Sequence, residues 1–186
     1  MKLNLGCGHS RMDGFVNVDK FPSPACDEIV DLESLPWPWL DSSVDEVVLC
    51  HVLEHLGADT PVYLGIIKEL WRVCRDGALI LISVPHPNHD HFLWDPTHVR
   101  PITWEGLRMF DQERNREWIA AGSPMTPLGL HVGVNFRLEH VQFILDEPWA
   151  SRERDKTIPP DELQFAMKHY HNVISEMIIR WRAVKP

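Results

Sequence analysis

Two short apolar runs, Lys2-Leu3-Asn4-Leu5 and Phe15-Val16-Asn17-Val18, flank a Gly6-Cys7-Gly8 turn, and the second run ends on Asp19. That order fits the carboxyl edge of a parallel sheet, where open α/β folds present nucleotide-like ligands. Glycine has no Cβ, so the chain can turn sharply and a ligand can lie against the peptide N–H groups. An ionised Asp19 can accept two hydrogen bonds from a ribose diol. An ordinary strand-ending loop uses the same turn, so the rest of the chain has to decide between them.

A dinucleotide fold would place a third glycine where this chain has Arg11, and a crossover helix between the two strands. Only about nine residues separate the runs, short of the roughly ten to twelve that such a helix needs. No helix N-terminus is then offered to a pyrophosphate. A nicotinamide oxidoreductase is therefore the weaker reading, and a ligand with ribose and adenine but no phosphates the better one.

Residues 27 to 32 read as a third strand that ends on Asp31, followed by the prolines of Pro36-Trp37-Pro38, which hold an extended loop. Asp45 to Cys50 is apolar enough for a strand buried on both faces, and it leads into His51-Val52-Leu53-Glu54-His55-Leu56. Thr60 and Pro61 read as the N-cap and first residue of a helix. Its stripe of Tyr63, Ile66, Ile67, Leu70 and Cys74 faces the sheet. Arg75-Asp76-Gly77 closes that helix, with Gly77 as a left-handed cap, and Ala78 to Val84 is the fifth strand.

Taken together, LNLGCG, VNVDK, IVDLESLPWP, SSVDEVVLCHVLEH and LWRVCRDGALILISVP resemble the class I S-adenosylmethionine-dependent methyltransferases, especially the small type 11 group. The resemblance covers residues 2 to 86. It implies an α/β, Rossmann-like, doubly wound, mostly parallel seven-stranded sheet with an antiparallel strand near the C-terminus. It also implies S-adenosyl-L-methionine as cofactor and S-adenosyl-L-homocysteine as product. Cofactor-binding residues carried over are Leu5, Gly6, Cys7 and Gly8 at the bend, Asp19 and Lys20 at the ribose, and Asp31 with Leu32 at the adenine. Cys50 and His51 fall beside the methionine portion and the transferred methyl. Glu54 and His55 match a Glu-His pair that reads mainly as structural. A helix before the first strand and most of the helix between the first two are missing, so the N-terminal helices are reduced. The thinly covered sheet face this leaves suggests a homodimer.

After residue 86 the composition changes. His86, His89, His91 and His98, four of the 11 histidines, fall between residues 85 and 101 among prolines. The position is that of a substrate loop at a strand's carboxyl end. Three readings stay open. A neutral His can take the proton from an attacking hydroxyl, with His86 the first candidate for this catalytic role and His98 the second. His89, Asp90, His91, Asp95 and His98 can ligate a metal. Or the histidines only pack and hydrogen-bond. Arg100 can hold an acidic group on a substrate, or simply make a surface ion pair.

Thr103 reads as the N-cap of a further helix, with Trp104, Leu107 and Phe110 on one side. Residues 112 to 132 read as an exposed insertion. Alternating runs in 134 to 146 slip by one residue near Glu139-His140, which predicts a bulge. Asp146 to Pro160 is charged. A helix from about Asp161 to residue 174 precedes a last strand at Ile179 to Ala183. With no repeats or linkers, one domain over 1-186 is expected: a cofactor half (1-86), a substrate-loop and insertion region (87-132), and C-terminal strands and helix (133-186).

The net charge of −9 argues against nucleic acid as partner, since that binding rests on clustered Lys and Arg. An Asn-Pro-Pro-Tyr motif for planar amines is absent where Cys50-His51-Val52-Leu53 stands, which also disfavours DNA bases. No run of about 18 apolar residues suggests a membrane span, and the first residues do not form a signal peptide. Cys7, Cys26, Cys50 and Cys74 form no C-x-x-C pair, which fits a reducing, cytoplasmic setting. The expected activity is methyl transfer to a small-molecule or sugar hydroxyl. The alternatives are a metal-assisted O-methyltransferase and a non-enzymatic interaction module that keeps the fold.

Overall fold

The computed structural model describes residues Met1–Pro186. Seven strands form one sheet: β1 (Lys2–Leu5), β2 (Val16–Asp19), β3 (Glu28–Ile29), β4 (Val44–Cys50), β5 (Cys74–Pro85), β6 (Phe136–Leu145) and β7 (Ile174–Ala183). Their order is β3-β2-β1-β4-β5-β7-β6. β1 to β5 are parallel, and β7 lies antiparallel between β5 and β6. The expected mixed seven-stranded sheet is thus the one formed.

The short link from β1 to β2 has no helix, and buried amides hold it instead. Asn4 and Asn17 are both buried on adjacent parallel strands. Asn4 Nδ2 donates to Asn17 Oδ1 at 2.9 Å and to Ser10 O at 2.9 Å. Asn17 Oδ1 also accepts from Met12 N at 2.8 Å, and Asn17 Nδ2 donates to Met12 O, Phe15 O and Asp27 Oδ2. Every polar atom of the Asn17 side chain is thereby satisfied, the condition under which a buried amide rigidifies a fold. Asp27 closes the network by accepting from Asn17 N and from Arg11 Nη1, and the Asn17 and Arg11 donors hold its carboxyl down at about 2.

Helix α1 (Thr60–Val73) joins β4 to β5 and buries Tyr63, Ile66, Ile67, Leu70 and Val73. Each aliphatic side chain removed from water in this way contributes about 1.5–3 kcal/mol. The cap lies one residue earlier than expected, at Asp59, and Thr60 is already helical. Gly77 does not end this helix. Cys74 pairs with Val44 at once, and pairing resumes only at Leu79 with Glu46, so Gly77 at φ +75° sits in a bulge within β5. β3 is two residues long rather than six. β5 is longer than Ala78 to Val84, because it pairs with both β4 and β7.

Beyond β5 lie α2 (Asp90–Trp94) and α3 (Trp104–Arg108), the latter capped as expected by Thr103, whose hydroxyl accepts from Gly106 N at 3.0 Å. The insertion at 112–132 is not a plain loop. It folds into α4 (Gln112–Ala120) and α5 (Leu128–Val132), joined by the fully buried Asn115, which donates to Met109 O and accepts from Leu130 N. A short α6 (Trp149–Arg154) forms in the charged stretch before α7 (Pro160–His169). α7 ends five residues short of the expected 174, and β7 starts there rather than at Ile179, because Glu176 to Arg182 pair with β5. The bulge near Glu139 is present as a register shift between Leu138 and His140. Trp181 anchors this end of the core, stacked on Phe136 with centroids 3.9 Å apart and edge-on to Phe110.

Two variants test the amide network. Asn17→Ala strands several buried partners, and urea unfolding is expected to show a loss of about 3 kcal/mol or more. Asp27 has its folded pKa near 2, below its ordinary 3.8, so its stabilisation is present above pH 3.8 and is lost as pH falls towards 2. Asp27→Asn is expected to lower the melting midpoint at neutral pH and to flatten the acid decline between about pH 4 and pH 2.

Candidate functional site

The carboxyl ends of β1, β2 and β4 open onto a cleft of about 460 Å³, within the usual range for small-ligand sites. Gly6, Asp19, Lys20, Asp31, Leu32 and His51 all line it. Of the other residues expected at the cofactor, Leu5 and Cys7 are buried outside the lining, while Gly8 and Cys50 are exposed outside it. Burial, with Cys26 beside it, pushes the Cys7 thiol up to about 11, which leaves it a protonated packing group.

Gly6 is required twice over. Its φ is +67°, and a Cβ there would fall 2.4 Å from Val52 Cγ2, itself a cleft residue. The bend also fixes Asp19. Gly8 N–H donates to Asp19 Oδ2 at 2.8 Å and Phe21 N–H to Oδ1 at 2.9 Å. A carboxylate oxygen has two lone pairs, so each keeps one acceptor position. Asp31 Oδ1 accepts from Glu33 N at 3.0 Å, and Leu32 supplies an apolar surface beside it.

Across the cleft stands His51, at φ +54°, a left-handed backbone that His tolerates better than most residues. Its Nδ1 is 3.4 Å from Glu54 Oε1 and its Nε2 3.3 Å from Glu176 Oε1. Glu54 raises the imidazole pKa above its ordinary value against the opposing effect of burial. Glu54 itself is fully buried in the 3₁₀ turn Leu53–His55. His55 and Thr97 complete this wall.

His86 and His98, the two expected bases, do not line the cleft. His86 accepts from Asn88 N at Nδ1 (3.2 Å), and burial, aided by His89 and His171, lowers its pKa. A neutral ring in that tautomer carries its proton on Nε2. His98 lies behind His55, its ring edge-on at 4.6 Å, with Nδ1 2.8 Å from Phe92 O. The remaining loop groups are divided among separate contacts. His89 pairs with Asp146 at 3.0 Å, and Asp90 takes His171 and Asn172 Nδ2. The five-residue metal set is therefore not assembled. Arg100 makes no ion pair: it donates to Gly57 O at 2.8 Å and lies over the Tyr63 ring.

Sequence reasoning read Glu54 and His55 as mainly structural and did not single out Val52, Thr97 or the Asn4–Asn17 pair. The visible signal was an acid inside an apolar His-x-x-Glu-His run, with an Asn in each of two strands otherwise apolar at their centres.

No protein-family model and no curated protein matches the chain. Solved structures do. A SAM dependent methyltransferase from Archaeoglobus fulgidus superposes with a TM-score of 0.60 at 17% identity, covering 97% of this chain and 85% of that one. A SAM-dependent methyltransferase from Methanosarcina mazei gives 0.56 at 14%, covering 100% and 92%. The [4+2]-cyclase SpnF gives 0.52 at 15%, covering 100% and 74%. The chain therefore has the Rossmann-like fold of the class I S-adenosylmethionine-dependent methyltransferases.

The two glycines of the bend separate backbone strain from crowding. Gly6→Ala is expected to cost about 1–3 kcal/mol in urea unfolding. Gly8→Ala meets nothing within 4 Å at φ +52°, and its expected cost is only about 1 kcal/mol.

Proposed function

We propose that this protein transfers a methyl group from S-adenosylmethionine to the hydroxyl of a small molecule, sugars included. The observation that carries the reading is Asp19: a carboxylate pinned by two backbone N–H groups at the mouth of a glycine bend, with one acceptor position left on each oxygen. When bound, S-adenosylmethionine supplies an electrophilic sulfonium methyl, and S-adenosylhomocysteine remains after transfer. Gly6 supports the fit by lining the cleft with backbone and no side chain of its own, so that a ligand can lie against the bend. Asp19 would hold the ribose diol, Asp31 accept from the adenine amino group, and Leu32 pack on the ring.

The chain's own contribution to rate is positional. A walled cleft orients two reactants and excludes water, which supplies most of the barrier reduction for an in-line displacement. A neutral hydroxyl must also lose a proton as it attacks, and an imidazole is the suitable acceptor. By position His51 is first, since its ring stands at the cleft wall. His98 would act only through His55, and His86 would first have to release Asn88 N–H. Hydroxyl acceptors are favoured over polyanions by these imidazoles and by the net charge of −9. No helix is long and apolar enough to cross a membrane. A cytoplasmic setting and a homodimer, with exposed Ile29 on the edge strand β3, remain part of the proposal.

A second reading keeps the cleft without methyl transfer. It draws on the fold's likeness to the [4+2]-cyclase SpnF, and it includes a non-enzymatic module. The two readings separate on labelled cofactor: methyl-labelled S-adenosylmethionine with a metabolite and glycan extract should yield labelled product. In calorimetry, Asp19→Ala should weaken S-adenosylhomocysteine binding by at least about tenfold, since a hydrogen bond to a charged acceptor is worth about 1.5–3 kcal/mol. Unchanged affinity would remove the ribose role.

A further inference from the structure

We propose that Glu54, His55 and His98 form a binding site for one divalent transition-metal cation, such as Zn²⁺, Co²⁺ or Fe²⁺, in the wall of the cleft. Glu54 has no exposed surface, and neither carboxylate oxygen has a hydrogen-bond donor. A dry carboxylate without donors is among the costliest groups a fold can carry, and metal coordination is one of the few ways to compensate it. His51 Nδ1 lies 3.4 Å from Oε1, an ion-pair contact without a formed hydrogen bond, and it does not serve Oε2. One potential ligand atom from each of Glu54, His55 and His98 lies within 4.8 Å of the others.

The imidazole tautomers point the same way. His98 Nδ1 lies 2.8 Å from Phe92 O, which can only accept, so that nitrogen carries the proton. His55 Nδ1 lies 2.9 Å from Thr97 Oγ1 and 3.2 Å from Thr97 O. Thr97 Oγ1 gives its own proton to Asp95 Oδ1 at 2.6 Å, so it accepts from His55. Both neutral rings therefore keep a lone pair on Nε2, that of His98 with Asp95 Oδ2 3.9 Å away, and the opposite N–H is anchored to an oxygen. That anchoring is the outer-shell pattern of metal-ligating histidines. The two segments are also tied together, since Val99 N and Arg100 N both donate to Glu54 O at 2.9 and 3.1 Å.

One carboxylate oxygen and two imidazole nitrogens suit borderline cations better than Ca²⁺ or Mg²⁺. Three protein ligands leave coordination positions free, as catalytic rather than structural sites do. His55 also lines the cleft, so a cation held there has access to it. An acceptor hydroxyl on that cation would lose its proton more readily. This catalytic role rests on the methyl-transfer reading, whereas binding of the cation does not.

The test uses the full chain, stripped with a chelator, then titrated with Co²⁺ by absorbance and with Zn²⁺ by calorimetry. One cation per chain is expected. His55→Gln and His98→Gln should each weaken binding by more than about tenfold, and His91→Gln, an exposed imidazole outside the cluster, should leave it unchanged. Glu54→Gln should also weaken it, and if that variant does not fold, His55→Gln decides. No binding by the wild type, or binding that both His variants retain, overturns the site. S-adenosylhomocysteine calorimetry on the same samples keeps the two readings apart. Cofactor binding without the cation sinks only the metal site, and the cation without cofactor sinks only the methyl-transfer reading.

Discussion

The hydrogen-bonded pair Asn4–Asn17, buried between the first two strands, is the constraint on which the rest of this structure depends. A parallel pair normally relies on a crossover helix to cover the link between its strands. Here the link is too short, and the amides secure it from below by taking hold of Ser10, Met12 and Phe15. Because every donor and acceptor of the Asn17 side chain is matched, the pair sets one geometry for the bend above it. The position of Asp19 follows: its carboxylate is clamped by Gly8 on that bend and by Phe21 just beyond its own strand. The geometry of the cleft mouth is thus inherited from polar packing beneath it.

The two sides of the cleft differ in chemistry. Asp19 and Asp31 offer acceptors held by backbone N–H groups, suited to hydroxyl and amino donors of a nucleoside. The opposite side carries His51 and His55 in front of the buried Glu54. The acid thus sits in the dry layer behind two imidazoles, where its charge is poorly screened. The His-rich loop serves this wall indirectly. His89 and Asp90 fasten it to Asp146, His171 and Asn172, and its far end brings His98 against His55.

Much of the sheet could be read from the chain because the first four parallel strands each carry their own signal, a short run followed by Gly6, Asp19, Asp31 or His51, and the fifth is a continuous apolar run. The order of those motifs placed six cleft residues. Elements set by partners distant in sequence were less legible. Met177 and Ile174 keep helical spacing, yet pairing of Met177 with β5 and β6 and of Ile174 with β6 makes that stretch a strand. Gly77 looks like a helix cap locally but fills a bulge, because Cys74 finds Val44 first. Residues 112 to 132 are polar and Gly-rich, but one buried amide, Asn115, is enough to join two helices. Glu54 was hardest to judge, since sequence shows a charged residue next to a His and says nothing of its complete burial.

The central claim is that an adenosyl ligand lies across the Gly6 bend with its ribose on Asp19. A crystal structure of the full chain soaked with S-adenosylhomocysteine tests it most directly. The account predicts both ribose hydroxyls within hydrogen-bond distance of the two Asp19 oxygens and the adenine between Asp31 and Leu32. Density for the ligand elsewhere, or an Asp19 carboxylate that makes no contact with it, would contradict the account.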